Sequence, residues 1–210
     1  MSQFWDQSWD TVDPGRVARY VQDTELDADS LIAFWKKHHV QSVCDAGCGC
    51  GVYSLKLAAN GFRVSGFDVS AKAVEMTKKL LSSRNFDGGD FEAADILSTP
   101  YPDHHFDAVI SRDVVDHMPL AGAIQAVKEL YRITKPGGFL VLTLDSLDSE
   151  YETQKHTVNA DGDYLFTEGK WKGMVFHPYS ESQIAKLTPF GKRIALKTGL
   201  EGFQIILEKS

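Results

Sequence analysis

The stretch Val43-Cys44-Asp45-Ala46-Gly47-Cys48-Gly49-Cys50-Gly51 holds the residues best suited to chemistry: one acid, then three glycines at alternate positions. An apolar run (Val40, Val43, Cys44) precedes it, and a helix-compatible segment, Tyr53 to Asn60, follows. A strand that ends in a glycine-rich turn and feeds a helix brings backbone N–H groups close to a ligand. Glycine suits such a turn because a side chain would block the approach. The acid ahead of the glycines suggests a ligand that carries a positive amine rather than phosphate alone. Further polar residues stand where other apolar runs end: Asp68, Asp95, and Ser111 to Asp113. Just beyond the last of these comes His117, in Arg112-Asp113-Val-Val-Asp116-His117-Met118. A histidine there is a candidate general base, while Asp113 and Asp116 read as solvated acids.

Those residues need a scaffold that gathers them at one edge. Strand-like segments fall at 42–45, 63–67, 90–94, 106–111 and 139–144. Helix-like segments lie between them. Ser70 is placed to cap one, with Ala73, Val74, Thr77, Leu80 and Leu81 at helical spacing. Another runs over 121–134, and Lys135-Pro136-Gly137-Gly138 is expected to break it with a turn. This alternation predicts an α/β fold with a doubly wound, mostly parallel sheet. In such sheets the ligand lies outside the carboxyl ends of the strands, where all four acidic or polar tips fall. The last third differs. Residues 146–179 are polar and aromatic-rich, with Tyr164–Phe166 and Trp171–Phe176 expected to pair. Ser180 and Gln183 have capping-box spacing, and 193–197 with 203–208 reads as an antiparallel hairpin.

The formal net charge of −7 disfavours a nucleic-acid partner and an anionic membrane surface. The three cysteines are too few and too clustered for a disulfide framework. They read as a buried strand residue and two small loop residues, with no metal. No apolar stretch approaches transmembrane length and the first residues are polar, so a cytoplasmic protein is expected. One domain over 1–210 is expected, divided as an N-terminal helical cap (1–38), a ligand-binding core (39–145), an insert or lid (146–179), and a closing helix and hairpin (180–210).

Taken in order, these motifs resemble the class I S-adenosylmethionine-dependent methyltransferases. Asp45-Ala-Gly47-Cys-Gly49-Cys-Gly51 is similar to their acid-x-G-x-G-x-G loop. Asp68 stands where the family places a ribose-binding acid, and Asp95-Ile96 where it reads adenine. Phe106-Asp107-Ala-Val-Ile-Ser111 and Lys135-Pro136-Gly137-Gly138 match its later signatures. The resemblance implies a seven-stranded, Rossmann-like methyltransferase sheet with an antiparallel C-terminal edge hairpin. It implies S-adenosylmethionine as cofactor and methyl transfer to a small-molecule acceptor. Gly47, Cys48 and Gly49 would face the methionyl and ribose parts, and Asp45 would attract the ammonium. Asp68 would accept from the ribose hydroxyls, Val69 would cover an adenine face, and Asp95 and Ile96 would pair with the adenine edge. The backbone at Ser111 and Arg112 would hold the ammonium. Trp9 and Tyr20 are the expected lid residues, and His117 the expected catalytic group. Two other functions use the same features: a cofactor-binding regulator without transfer, and a nicotinamide-dependent oxidoreductase. The second fits poorly, because Val52 stands where its third glycine or alanine belongs.

Overall fold

The computed structural model describes residues 2–12, 28–86, 89–147, 149–199 and 202–210. Its strands are β1 (Ser42–Ala46), β2 (Arg63–Asp68), β3 (Phe91–Ala93), β4 (Phe106–Arg112), β5 (Thr134–Asp145), β6 (His156–Val158), β7 (Tyr164–Phe166), β8 (Val175–Phe176), β9 (Lys192–Gly199) and β10 (Gly202–Glu208). The helices are α1 (Ser2–Asp10), α2 (Asp29–Lys37), α3 (Val52–Ala59), α4 (Ala71–Ser82), α5 (Leu120–Ile133), α6 (Ser149–Thr153) and α7 (Glu181–Leu187).

The main sheet has the order β3-β2-β1-β4-β5-β10-β9. The first five strands run parallel, and β10 and β9 are antiparallel. The expected doubly wound, seven-stranded architecture is therefore the observed one. Strand β1 is buried at every position, as a parallel strand covered on both faces must be. Period-two alternation sorts the two faces. Val43, Ala108, Ile110 and Val141 pack on one side with Trp35, Leu57 and Val74. Cys44, Val109, Leu140 and Leu142 pack on the other with Leu130 and Ile184.

The strand order reverses at β1, where β2 pairs on one side and β4 on the other. That reversal opens the crevice that receives ligands in open α/β sheets. No helix among the described residues is long and apolar enough to cross a membrane.

Two expectations need correction. Lys135-Pro136-Gly137-Gly138 ends α5 but forms no turn; it lies inside β5. The chain terminus stabilises it there: the Gly137 N–H donates to the Lys209 carbonyl at 2.7 Å, and the Lys209 N–H donates to that of Gly138 at 2.9 Å. The register with β4 jumps from Thr134 to Phe139 across this stretch, so the extra residues are absorbed as an irregularity. In the insert, β7 pairs with β8, which is shorter than expected, and β6 adds a third strand on the other side. Phe166 and Phe176 of this small sheet, with Met174 just before β8, pack with Phe4 and Trp5 of α1 and with Tyr151. A buried pair fixes the insert to α7: His177 Nδ1 meets Asp163 at 2.7 Å, and Gln183 Nε2 lies 3.0 Å from His177 Nε2. Gln183 also completes the capping box with Ser180.

Candidate functional site

A cavity of ≈ 460 Å³ opens at the carboxyl ends of β1, β2 and β4. Its walls include Asp45, Gly47, Cys48, Gly49, Asp68, Val69, Asp95, Ile96, Arg112, His117 and Trp9. Of the residues singled out from the sequence, the structure thus brings all but two to one space. Ser111 does not line it: its hydroxyl is fully buried and has no partner, since neighbouring strand residues face opposite ways. Tyr20 lies outside the described residues.

The glycine loop works differently from the sequence expectation. Its N–H groups are largely committed to the protein. Those of Gly47 and Cys48 donate to the Phe67 carbonyl at 2.8 and 3.0 Å. That of Gly49 donates to Asp68 Oδ2 at 2.9 Å. The loop is stitched to the tip of β2, and the glycines matter chiefly for what they lack. Gly47 has φ of +83°, and a Cβ there would stand 2.4 Å from Val114 Cγ2. A Cβ on Gly49 would meet the Trp9 ring at 3.0 Å. The missing side chains let Val114 and Trp9 close on the loop, and both glycines still line the cavity.

The carboxylates around this loop are held at specific angles. Asp68 also accepts the N–H of Ser70 at 2.9 Å, and it is nearly buried at 8% exposure. Burial raises its pKa, and those backbone N–H groups oppose the rise. Asp45 accepts the Ser54 hydroxyl at 2.5 Å. Burial lifts Asp45 to about 6 against the pull of Ser54 and of the Arg112 charge. Asp95 is exposed and uses one oxygen to accept the Leu97 N–H at 2.9 Å. Among the described residues its other oxygen takes no hydrogen bond, and it lines the cavity beside Ile96 and Val69. Burial also pushes the thiols of Cys44, Cys48 and Cys50 up, so they stay protonated at neutral pH.

The other end of the cavity gathers Trp5, Tyr53, Arg112, Asp113, Met118 and His117. Arg112 lies over the Tyr53 ring at 4.7 Å and 3.8 Å from Asp113. Asp113 sits at φ +52° and accepts the Thr143 hydroxyl at 2.6 Å. His117 is on a one-turn 3₁₀ helix, Val115–His117. Its Nδ1 lies 3.3 Å from the Val175 carbonyl of the insert, and the Trp5 ring meets it edge-on at 5.1 Å. Burial lowers the His117 pKa. The imidazole is therefore neutral at pH 7, with Nδ1–H donated to the carbonyl and the lone pair on Nε2.

Asp116 is not the solvated acid expected. It is fully buried, because the 3₁₀ turn tucks beneath the insert and its carbonyl accepts the His177 N–H at 2.7 Å. Burial first, and Asp113 next among the raising influences, lift it to about 7. Asp145, at the end of β5, is lifted to about 6 by burial, then by Asp113 and Asp116.

Trp5 and Tyr53 were not among the sequence-derived site residues. Both had a signal. Trp5 is four residues before Trp9 and so shares its helix face. Tyr53 lies in the first turn of the helix that the loop feeds.

The chain matches a methyltransferase domain family over residues 44–142. It is 32% identical over 127 residues to a malonyl-[acyl-carrier protein] O-methyltransferase of Erwinia billingiae, covering 60% of this chain and 48% of that protein. A solved Pyrococcus horikoshii protein superposes with a TM-score of 0.73 at 19% identity, over 90% of this chain and 93% of that one. An S-adenosylmethionine-dependent methyltransferase of Clostridium acetobutylicum gives 0.70 at 12% identity, over 90% and 94%. The chain spans about half the length of the curated relatives it matches. Residues 44–142 are thus similar to a methyltransferase domain, and the sheet has the fold of these solved structures.

Proposed function

We propose that this protein transfers a methyl group from S-adenosylmethionine to a small-molecule acceptor. One observation carries the reading. Asp68, Gly49 and Asp95 share a single cavity, with the Asp68 carboxylate anchored by the glycine loop that lines it. A carboxylate at the second strand's end, some twenty residues past the first glycine, is placed for ribose hydroxyls. Asp95 beside Ile96 and Val69 suits an adenine edge and face. Asp45 and Arg112 line the stretch left for the amino-acid end.

The cofactor supplies a methyl on a positively charged sulfur, an intrinsically good leaving group. The chain's task is then alignment and exclusion of water. Trp9 lies against Gly49 and Trp5 against His117, so one helix covers both halves of the cleft. The whole cavity is of single-ligand size, which favours a compact acceptor over a polymer, in keeping with the acidic charge. His117 offers a lone pair at the acceptor end, and Trp9 serves as a lid residue.

Calorimetric titration tests the reading. S-adenosylhomocysteine should bind and NAD(P) should give no heat; the reverse outcome would replace this function with an oxidoreductase. A radiolabelled methyl donor with a metabolite panel then separates an enzyme from a cofactor-binding regulator, which would bind but never transfer.

A further inference from the structure

We propose that Asp116, Asp145 and His117 hold a divalent metal ion at the wall of the acceptor space. The three offer one ligand atom each, and these atoms all lie within 4.8 Å of one another. Ligand atoms bound about 2.0–2.2 Å from a shared tetrahedral ion stand about 3.3–3.6 Å apart. Side-chain rotation of up to about an ångström closes the set.

A second observation points to a ligand there. Asp116 Oδ2 accepts the Asp145 N–H at 2.8 Å, but Asp116 Oδ1 is fully buried and has no partner. An orphaned carboxylate oxygen in the interior is costly and calls for an occupant. The neighbouring acid shows the contrast. Asp113 is satisfied by the Thr143 hydroxyl and approached by Arg112. Among the described residues, no lysine or arginine forms an ion pair with Asp116 or Asp145; the Tyr151 hydroxyl reaches Asp145 Oδ2 at 3.3 Å.

The histidine is arranged as a ligand. Its Nδ1–H is taken by the Val175 carbonyl, which leaves the Nε2 lone pair. An imidazole whose second nitrogen donates to a backbone carbonyl is the usual outer arrangement at metal centres. Two carboxylates and one imidazole form a mixed hard and borderline set, suited to Mn²⁺ or Zn²⁺. Three protein ligands leave coordination positions open. Because His117 also lines the cavity, an acceptor carrying an oxygen donor would complete the sphere and be oriented by it. This consequence for the acceptor, though not the binding itself, rests on the methyl-transfer reading. His117 then acts as a ligand rather than as a free base.

The full chain, stripped with EDTA and dialysed against Mn²⁺, Zn²⁺ or Mg²⁺, tests the site through its metal content and melting temperature. About one equivalent of Mn²⁺ or Zn²⁺ should be retained with a raised melting temperature, and Asp116→Asn and Asp145→Asn should each weaken retention at least about 10-fold. Wild-type retention below about a tenth of an equivalent at roughly millimolar ion would overturn the proposal, and so would retention unchanged in both variants. The first of these needs no variant to fold; it would assign the orphaned oxygen to an ordered water. S-adenosylhomocysteine titration of the same samples separates the two readings. Cofactor binding without metal removes only the ion site, and metal without cofactor binding removes the methyltransferase reading.

Discussion

The two ends of the cleft are built on different terms. At the cofactor end, the polar groups of Asp68, Gly47 and Gly49 are paired with groups nearby, much of it across one strand tip. At the acceptor end, Asp116, His117, Asp145, Trp5 and Val175 come from widely separated parts of the chain, and one carboxylate oxygen is left unpaired. On the methyl-transfer reading, a recurring cofactor meets a rigid cradle shared by two neighbouring strand tips, and the acceptor meets a pocket assembled from helix, strand end and insert that can change with any of them.

The largest effect expected from breaking this division is at Gly47. Gly47→Ala adds a Cβ 2.4 Å from Val114 Cγ2 at a φ of +83°. It should cost about 2–4 kcal/mol of stability by strain and overpacking and abolish binding of S-adenosylhomocysteine. Denaturant unfolding and titration check it, and Val114→Ala should recover part of the loss. An unaffected variant would mean that the cradle is loose.

Asp45 gives a pH signature. Its folded pKa of about 6 lies above the unfolded value of 3.8. The folded state therefore binds the extra proton between these values. Its ionisation costs stability that is absent below about pH 4, grows as pH rises through the window, and is complete above about pH 6, at roughly 3 kcal/mol. Unfolding free energies of wild type and Asp45→Asn across pH 3.5–7.5 should diverge in that sense, with the variant the more stable at neutral pH. A pH-independent difference would contradict the raised pKa.

The two tryptophans of α1 sharpen the comparison further. Trp9→Ala should weaken S-adenosylhomocysteine about 10-fold, from lost contact with the loop, worth roughly 1–1.5 kcal/mol. Trp5→Ala should leave that affinity within about 2-fold and raise the KM for the acceptor instead. Equal effects on both ligands would show that α1 acts as one cover with no division. The smallest effect is expected at Ser111, whose buried hydroxyl is unpartnered. Ser111→Ala should change stability by no more than about 0.5 kcal/mol, with cofactor affinity unchanged.

The cofactor end was legible because its signals are local. A glycine run after a buried strand, and acids at successive strand ends, announce a sheet edge without knowledge of the rest. What the residues did not reveal was how those groups are used. The loop N–H groups turn out to face Phe67 and Asp68, and Lys135 to Gly138 extend a strand because Lys209 pairs with them. Both depend on partners distant in the chain. Asp116 was misread for the same reason: an acid beside a histidine looks solvated until the insert is folded over it.

Apolar runs alternating with helical segments, and a glycine run between a buried strand and a helix, determined a doubly wound sheet with acids gathered at its strand ends, because these follow from short-range sterics and burial. Only the tertiary structure decided which aromatic side chains roof the cleft, which carboxylate loses its water, and which carbonyl sets the histidine tautomer. Those outcomes arise where segments far apart in sequence exclude solvent together.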